Sequence, residues 1–447
     1  MDHFVYRDGE LFCDGLRAAD IALEVGTPAY VYSKATLQMH YDRLAAAFAP
    51  LDPLICFSVK CCGNLGVLKA LVERGAGLDV VSGGELYRAR LAGVPASKIV
   101  FAGVGKTDAE IRQALGARVP GSQEALPNEP IGLFNIESEP EFEVVASAAR
   151  AMGVQARAAL RVNPDVAAGG HAYISTGKKE SKFGVSVEHA EQLFAKFGHE
   201  KHLRLTGVHV HIGSSINEPG PFVAALERVL ALIDRLAVKG VRIETLDLGG
   251  GFGADYHTGD APPASEFAAA LVPMLQKRVA AGLKIVMEPG RTIAASAGVL
   301  LTRVLYVKLA GTKKFIVCDA GMNTLIRPAL YNSFHFIWPV SVSPQHEPPR
   351  RGEKLDLPGL DSADVVGPVC ETGDFLAKDR PLPPVARGDL LAVFTAGAYG
   401  MTMASQYNAQ PRPCEVMVDG ERATVIRERE TIEDLVAHEM KPRVISL

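Results

Sequence analysis

Between about residue 50 and residue 295, short runs rich in β-branched and aromatic residues alternate with longer stretches whose apolar residues recur at helical spacing. Parallel strands joined by crossover helices produce that alternation. Eight strands are expected, at Leu54–Lys60, Leu78–Ser82, Ile99–Gly103, Ile131–Ser138, Ala158–Asn163, Gly207–His211, Thr245–Leu248 and Ile285–Glu288, with helices such as Glu85–Leu91 and Phe222–Lys239 between them. Eight strand–helix units point to a closed α/β architecture, the (β/α)8 barrel of TIM type. An open doubly wound sheet usually has fewer strands and carries a glycine fingerprint after its first one. Here the first strand ends in a lysine, and the glycine cluster DLGGGFG (Asp247–Gly253) follows strand seven. Barrel loops at that position frequently bind phosphate.

After Arg291 the pattern changes. LLTRVLYVKL, KKFIVCD, DLLAVFT and CEVMVDG are short strands separated by turn residues, with little helical periodicity. They predict a second, mainly β domain, a β-barrel or sandwich. The opening FVYRDGELFCDG has a hairpin pattern around Asp8-Gly9 and is expected to pair with that domain instead of the barrel. The expected domains are therefore 33–294 for the barrel and 1–32 with 295–447 for the β domain. The Pro-rich stretch from Pro344 to Pro358 reads as a surface loop or linker.

Composition narrows the function class. The 447 residues exceed one ordinary domain, and 48% hydrophobic with 22% charged residues is a soluble globular balance. A formal charge of -4 and the absence of a basic block argue against nucleic acid or an anionic membrane as partner. A small molecule is the expected ligand. Seven scattered cysteines, without paired metal-ligand spacing, suit a reducing cytoplasm and predict no metal site. The start MDHFVYRDGE lacks the basic patch and apolar core of a signal peptide, and no apolar run approaches the roughly 18 residues of a membrane span.

Catalytic side chains of such barrels come from the carboxyl ends of the strands. Strand one ends at Lys60, strand two carries Asp79, strand five begins near Arg157 and delivers Arg161, strand six ends at His211, and strand eight runs into EPGR with Glu288 and Arg291. Each residue has a plainer reading. Lys60 could snorkel from a barrel end, His211 could be a hydrogen-bonded core histidine, the glycines could form a tight turn without ligand, and Glu288 could pair with Arg291. Their convergence on one rim favours function. The chemistry that fits is an aldehyde cofactor with a phosphate handle. A lysine amine captures such an aldehyde, and burial at a barrel mouth is expected to favour its nucleophilic form. Bare backbone at Gly249–Gly251 and Gly290 can approach phosphate oxygens, with Ser214 adding a hydroxyl. A carboxylate such as Glu288 on a pyridine nitrogen keeps the ring an electron sink, which suits loss of CO2 better than the restrained proton exchange of a racemase.

The segments VVSGGEL, RVNP, YISTGKKESKFG, HVHIGSS, LDLGGGFG, EPGR, VVGPVCETGDFLAKDR and GAYGMTMASQYNAQPRP together resemble the diaminopimelate decarboxylases, a family of fold-type III pyridoxal-phosphate enzymes. The resemblance runs from TPAYVYS at Thr27 to CEVMVDG at Cys414. It implies pyridoxal 5′-phosphate held as an imine on Lys60, His211 stacked on the ring, Glu288 on the ring nitrogen, and Asp79 and Arg161 in support. The phosphate would lie on Ser214, Gly250, Gly251 and the Glu288–Arg291 turn with Gly290, and Tyr399 would reach it. Arg291, Arg327, Tyr331, Glu371 and Tyr399 would hold meso-2,6-diaminopimelate: the arginines suit its distal carboxylate and Glu371 its distal ammonium. Cys370 would return a proton to the α-carbon after CO2 leaves, giving L-lysine, the last step of lysine biosynthesis. The family also implies a homodimer in which Cys370, Glu371 and Tyr399 serve the neighbouring subunit's site.

The sequence departs from the family at CCGN after the lysine, where alanine-asparagine and a polar residue are common. Cys61 and Cys62 could make the protein oxidation-sensitive, although two packed small residues are the plainer reading. Cys13, Cys56 and Cys318 read as core residues. The segment Gly169–Ser181, rich in glycine and lysine, is expected to close over the site. Two other functions stay open: a decarboxylase of the same fold acting on ornithine, arginine or carboxynorspermidine, and a non-catalytic homologue that binds a partner. Arg327 and Glu371 speak against the first, and the full set Lys60, His211, Glu288 and Cys370 against the second.

Overall fold

The eight parallel strands form where the alternation places them, at Leu54–Ser58, Gly77–Val80, Ile99–Phe101, Leu133–Ile136, Ala156–Asn163, Leu203–His209, Thr245–Asp247 and Lys284–Met287. Each pairs in parallel with the next, and strand eight pairs with strand one, so the barrel closes without an edge. Several strands stop a residue or two sooner than the apolar runs suggest, because the chain turns there: Val59–Cys61 is already a 3-10 turn. Lys60, His211 and Glu288 consequently sit just past strand ends instead of within them. The helices that follow are started by side-chain caps, Ser82 accepting from the Glu85 N–H and Ser138 from that of Glu141, while Thr107 and Glu110 form a reciprocal box. The computed structural model describes all residues except 1, 120, 122–127, 167–180, 257–260, 350–351, 444 and 446–447.

Strand side chains alternate between faces, so inward positions lie two apart. Cys56, Leu133, Ala159 and Val286 belong to one buried apolar cluster together with Val100. Two residues further along the same strands stand Ser58, Asn135, Arg161 and Glu288, all buried. The barrel interior thus has an apolar layer below and a polar layer at the carboxyl ends. Barrel cores are ordinarily filled by branched aliphatic residues, so the polar layer marks the working end.

The chain divides into two compact units, 38–254 with 261–293 for the barrel, and 1–37, 255–260 and 294–447 for the other. The second unit is mainly β. Its sheet runs through Phe375–Leu382, Asp361–Val366, Lys313–Cys318, Gly298–Ala310, Ala29–Ser33, Cys414–Asp419 and Arg422–Arg427, with Leu390–Val393 and Ile337–Pro339 branching from it. The opening hairpin is present: Phe4–Arg7 pairs antiparallel with Glu10–Cys13 across Asp8-Gly9, both at positive φ as a tight turn of this kind requires. It joins this unit through Leu11 N–H on the Val340 carbonyl and Val342 N–H on the Gly9 carbonyl. No described helix is long and apolar enough to cross a membrane. The Gly169–Ser181 segment lies, but for Ser181, outside the described residues.

Candidate active site

Barrel strand one delivers Lys60 through the 3-10 turn, and its Nζ lies 3.0 Å from Asp79 Oδ2. Ser58 Oγ donates to the same oxygen at 2.6 Å. Asp79 is wholly buried, and burial together with the Glu288 charge raises its carboxyl above the usual range, against the pull of Lys60 and Ser58. The Lys60 side chain is a third exposed, at 33%. Its amine therefore rests on a carboxylate and is partly open to solvent, where burial at the barrel mouth was expected to favour its nucleophilic form.

His211 follows strand six. The Gly250 N–H donates to its Nδ1 at 3.1 Å, which leaves the ring proton on Nε2. Burial, with Arg161 and Lys60 nearby, holds the imidazole well below its ordinary pKa, so it is neutral. A flat uncharged ring pinned in one tautomer can lie against an aromatic cofactor without opposing a positive charge there. Arg161 is buried, donating to Glu137 Oε1 at 2.6 Å and to the His211 carbonyl at 3.4 Å.

Glu288 sits in the polar layer. Asn135 Nδ2 donates to its Oε1 at 2.9 Å, and His209 Nε2 lies 3.4 Å from its Oε2, an ion-pair distance without hydrogen-bond alignment. Burial alone would raise the Glu288 carboxyl, but His209 and Lys60 outweigh it and hold the group well below the usual range. The plainer expectation of a Glu288–Arg291 pair is not what forms: Arg291 Nη2 donates to Ser214 Oγ at 3.2 Å.

The glycines have structural reasons of their own. A Cβ on Gly250 would lie 2.2 Å from the Glu288 carbonyl oxygen, and one on Gly251, at φ +103°, would lie 2.4 Å from that of Gly213. A Cβ on Gly290 would meet Cys61 Sγ and Ser58 Cβ at 3.0 Å. The Gly249 N–H is committed to Asp247 Oδ1 and that of Gly250 to His211. Gly250 can thus offer an anion close approach but not its N–H. Cys61 and Cys62 are both buried, in keeping with packed small residues, as are Cys13, Cys56 and Cys318.

In the β unit the remaining candidates are held by turns. Buried Arg327 opens the short helix Arg327–Tyr331, donating from Nε to His335 Nε2 at 3.4 Å and from Nη2 to Ser333 Oγ at 3.3 Å, with the rings of Tyr256 and Tyr331 at 5.4 and 6.0 Å. Cys370 is exposed, and its N–H donates to Asn408 Oδ1 at 2.7 Å. Exposed Glu371 accepts from the Tyr407 hydroxyl at 2.6 Å. The turn that carries both is tied by Asp374, which accepts from the N–H groups of Met322 and Val369 at 2.6 and 2.7 Å. Tyr399 adopts φ +55°, a left-handed conformation that an aromatic residue rarely takes and that is found where function over-determines the backbone.

Sequence reading missed Asn135, Glu137, His209 and Asp247, all buried in the polar layer. The available signal was a polar residue inside a short strand whose neighbours on either side are apolar, as in LFNI and LTGVH. Lys106 was missed as well: its buried side chain donates to the carbonyls of Gly103 and Asn135 and to Glu141, pinning the end of strand four.

An amine, a neutral imidazole, a buried carboxylate, and an arginine with a hydroxyl beside bare glycine backbone are a donor set that fits pyridoxal phosphate: a carbonyl to capture, a ring to cover, a ring nitrogen and a dianion. Comparison with known proteins agrees. Residues 34–295 match the family described as pyridoxal-dependent decarboxylase, pyridoxal binding domain. The chain is 48% identical to the diaminopimelate decarboxylase of Pseudomonas aeruginosa, covering 98% of this chain and 99% of that one. With the diaminopimelate decarboxylase of Vibrio cholerae it shares 44% identity over 98% and 99%. Among solved structures it superposes on diaminopimelate decarboxylase from Helicobacter pylori complexed with L-lysine with a TM-score of 0.84, at 36% identity, covering 94% of this chain and 98% of that one.

Proposed function

The chain belongs to the pyridoxal-dependent decarboxylases and, among them, to the diaminopimelate decarboxylases, and from that premise we propose that it converts meso-2,6-diaminopimelate to L-lysine and CO2, closing lysine biosynthesis as a carboxy-lyase with pyridoxal 5′-phosphate as its cofactor. The observation that carries this reading is the meeting of Lys60, His211 and buried Glu288 at one end of one barrel. When bound, the cofactor supplies a carbonyl that links to amines and a ring that takes up the electron pair left behind by departing CO2.

The chain's own groups do the rest. Lys60 Nζ would hold the cofactor's carbonyl carbon, and Asp79 Oδ2, 3.0 Å away, would orient that amine. Glu288 would keep a proton on the ring nitrogen, and the neutral His211 ring would cover the cofactor ring without adding charge to it. Arg291 with Ser214, the Gly251 backbone and the Tyr399 hydroxyl serve the phosphate. For the substrate, Arg327 and Arg291 would suit the distal carboxylate and Glu371 the distal ammonium, with Tyr331 as a further contact. Desolvated charge pairs of this kind discriminate strongly, because an analogue lacking the distal carboxylate leaves arginine unpaired. Cys370 Sγ delivers the proton to the α-carbon.

We further propose a homodimer in which Cys370, Glu371 and Tyr399 of one copy complete the site of the other. Their presentation on exposed or half-buried turns supports this. Seven free thiols suit a reducing compartment such as the cytoplasm. The test is CO2 release by cofactor-loaded protein from meso-diaminopimelate, ornithine, arginine, lysine and carboxynorspermidine. Turnover confined to diaminopimelate is expected, and a preference for a substrate without a distal carboxylate would overturn the assignment.

A further inference from the structure

We propose that Asn135 and His209 are positioning residues that fix the charge and orientation of Glu288, with Asp247 as the anchor of Asn135; this rests on the reading that Glu288 faces the ring nitrogen.

The geometry is specific. Asn135 Nδ2 spends its two hydrogens on two carboxylates, Glu288 Oε1 and Asp247 Oδ2, each at 2.9 Å. The reverse orientation of the amide would set its oxygen against both carboxylates, so only one orientation is possible. Asp247 is held from its other side by the Gly249 N–H at 2.9 Å and lies opposite His209 on the neighbouring strand. His209, wholly buried, stands on the other flank of Glu288 with Nε2 at 3.4 Å from Oε2. Each Glu288 oxygen then has one protein neighbour and a remaining lone pair with which to meet a ring N–H.

Charge explains why the pair is needed. Two carboxylates, Glu288 and Asp247, are buried in the barrel core, and Asp79 adds a third nearby, already occupied by Lys60 and Ser58. Buried like charges cannot all stay ionised without compensation. Burial lowers the pKa of His209 but Glu288 and Asp247 raise it further, which favours the imidazolium on this side; burial and Glu288 push Asp247 upward. The negative charge therefore settles on Glu288. Stability alone gives no reason for such a network, because replacing a buried ionic cluster by well-packed apolar residues is commonly neutral or stabilising.

The test uses the full chain loaded with pyridoxal phosphate labelled with 15N in the ring, whose resonance reports protonation of that nitrogen directly. Glu288→Gln should move the resonance to its neutral position. His209→Leu and Asn135→Ala should move it part of the way and lower kcat about tenfold with little change in KM, the scale of one buried ion pair or charge-assisted hydrogen bond. His209→Gln, which keeps a polar side chain beside Glu288 without the charge, should fall between wild type and His209→Leu. Wild-type resonance and kcat in both His209→Leu and Asn135→Ala, with Glu288→Gln shifted, would overturn the proposal and leave the Glu288 reading standing. An unmoved resonance in Glu288→Gln would sink that reading and the proposal with it. If Asn135→Ala does not fold, the two His209 variants decide.

Discussion

The barrel rim and the β unit supply their candidate residues by opposite means. On the rim, Asn135, Arg161, His209 and Glu288 are buried, come from the inward register of parallel strands, and are held by buried polar or charged partners, Arg161 by Glu137 and Glu288 by Asn135 and His209. In the β unit, Cys370 and Glu371 are exposed on a turn tied by Asp374, and Tyr399 is set by a left-handed backbone. The first region is preorganised electrostatics in a low-dielectric core; the second is surface geometry held by hydrogen-bonded turns. The barrel should therefore govern the chemistry of the cofactor, while the β unit governs which amino acid is accepted and how the product is protonated.

Substitutions can break that division, and the largest effect belongs to the barrel. Lys60→Ala should abolish CO2 release measured by trapped labelled gas; turnover near the wild-type rate would move the anchor elsewhere. Cys370→Ala should lower kcat by about 10^2- to 10^4-fold, the range for loss of a positioned proton donor, while cofactor absorbance stays that of wild type. A changed absorbance would show that this residue reaches into the chemistry assigned to the barrel. Arg327→Gln should reduce kcat/KM for diaminopimelate by about 30- to 100-fold, the cost of one desolvated charged hydrogen bond of roughly 2–3 kcal/mol. That loss should appear mainly in KM, and equal losses for substrates without a distal carboxylate would argue that Arg327 supports the fold instead.

Much of the first region was legible in the sequence because parallel strands end within a residue or two of where apolar runs end, and a charge there is conspicuous: Lys60 after LICFSV, Glu288 after KIVM. The His209–Asp247–Asn135 support was not, because one polar residue in or at the end of a short apolar strand has no periodicity to announce it. Nor could any pattern show that the Gly250 N–H is spent on His211. In the β unit, resemblance singled out CETGD, but the work of Asp374 in holding that turn is long-range, reaching back to Met322. The left-handed Tyr399 likewise depends on close packing: a Cβ on neighbouring Gly400 would lie 2.3 Å from the Ala396 carbonyl oxygen.

The smallest effect tests whether charge in the β unit serves stability alone. Glu430 accepts from the Arg412 backbone and guanidinium and from Gln406 Nε2 at 3.0 Å. Burial opposes ionisation, but these donors win and hold its carboxyl down at about 2. A carboxyl depressed on folding contributes stability above its unfolded pKa of about 4.3, and that contribution fades as pH falls toward 2. The pair is partly open to solvent, with the Arg412 side chain 35% exposed, so screening reduces the full linkage value to about 1 kcal/mol. Glu430→Gln should accordingly lower the urea midpoint at pH 7, with the gap to wild type narrowing toward pH 3 and CO2 release unchanged at pH 7. Loss of turnover without loss of stability would place this charge with those of the barrel and undo the division between the two regions.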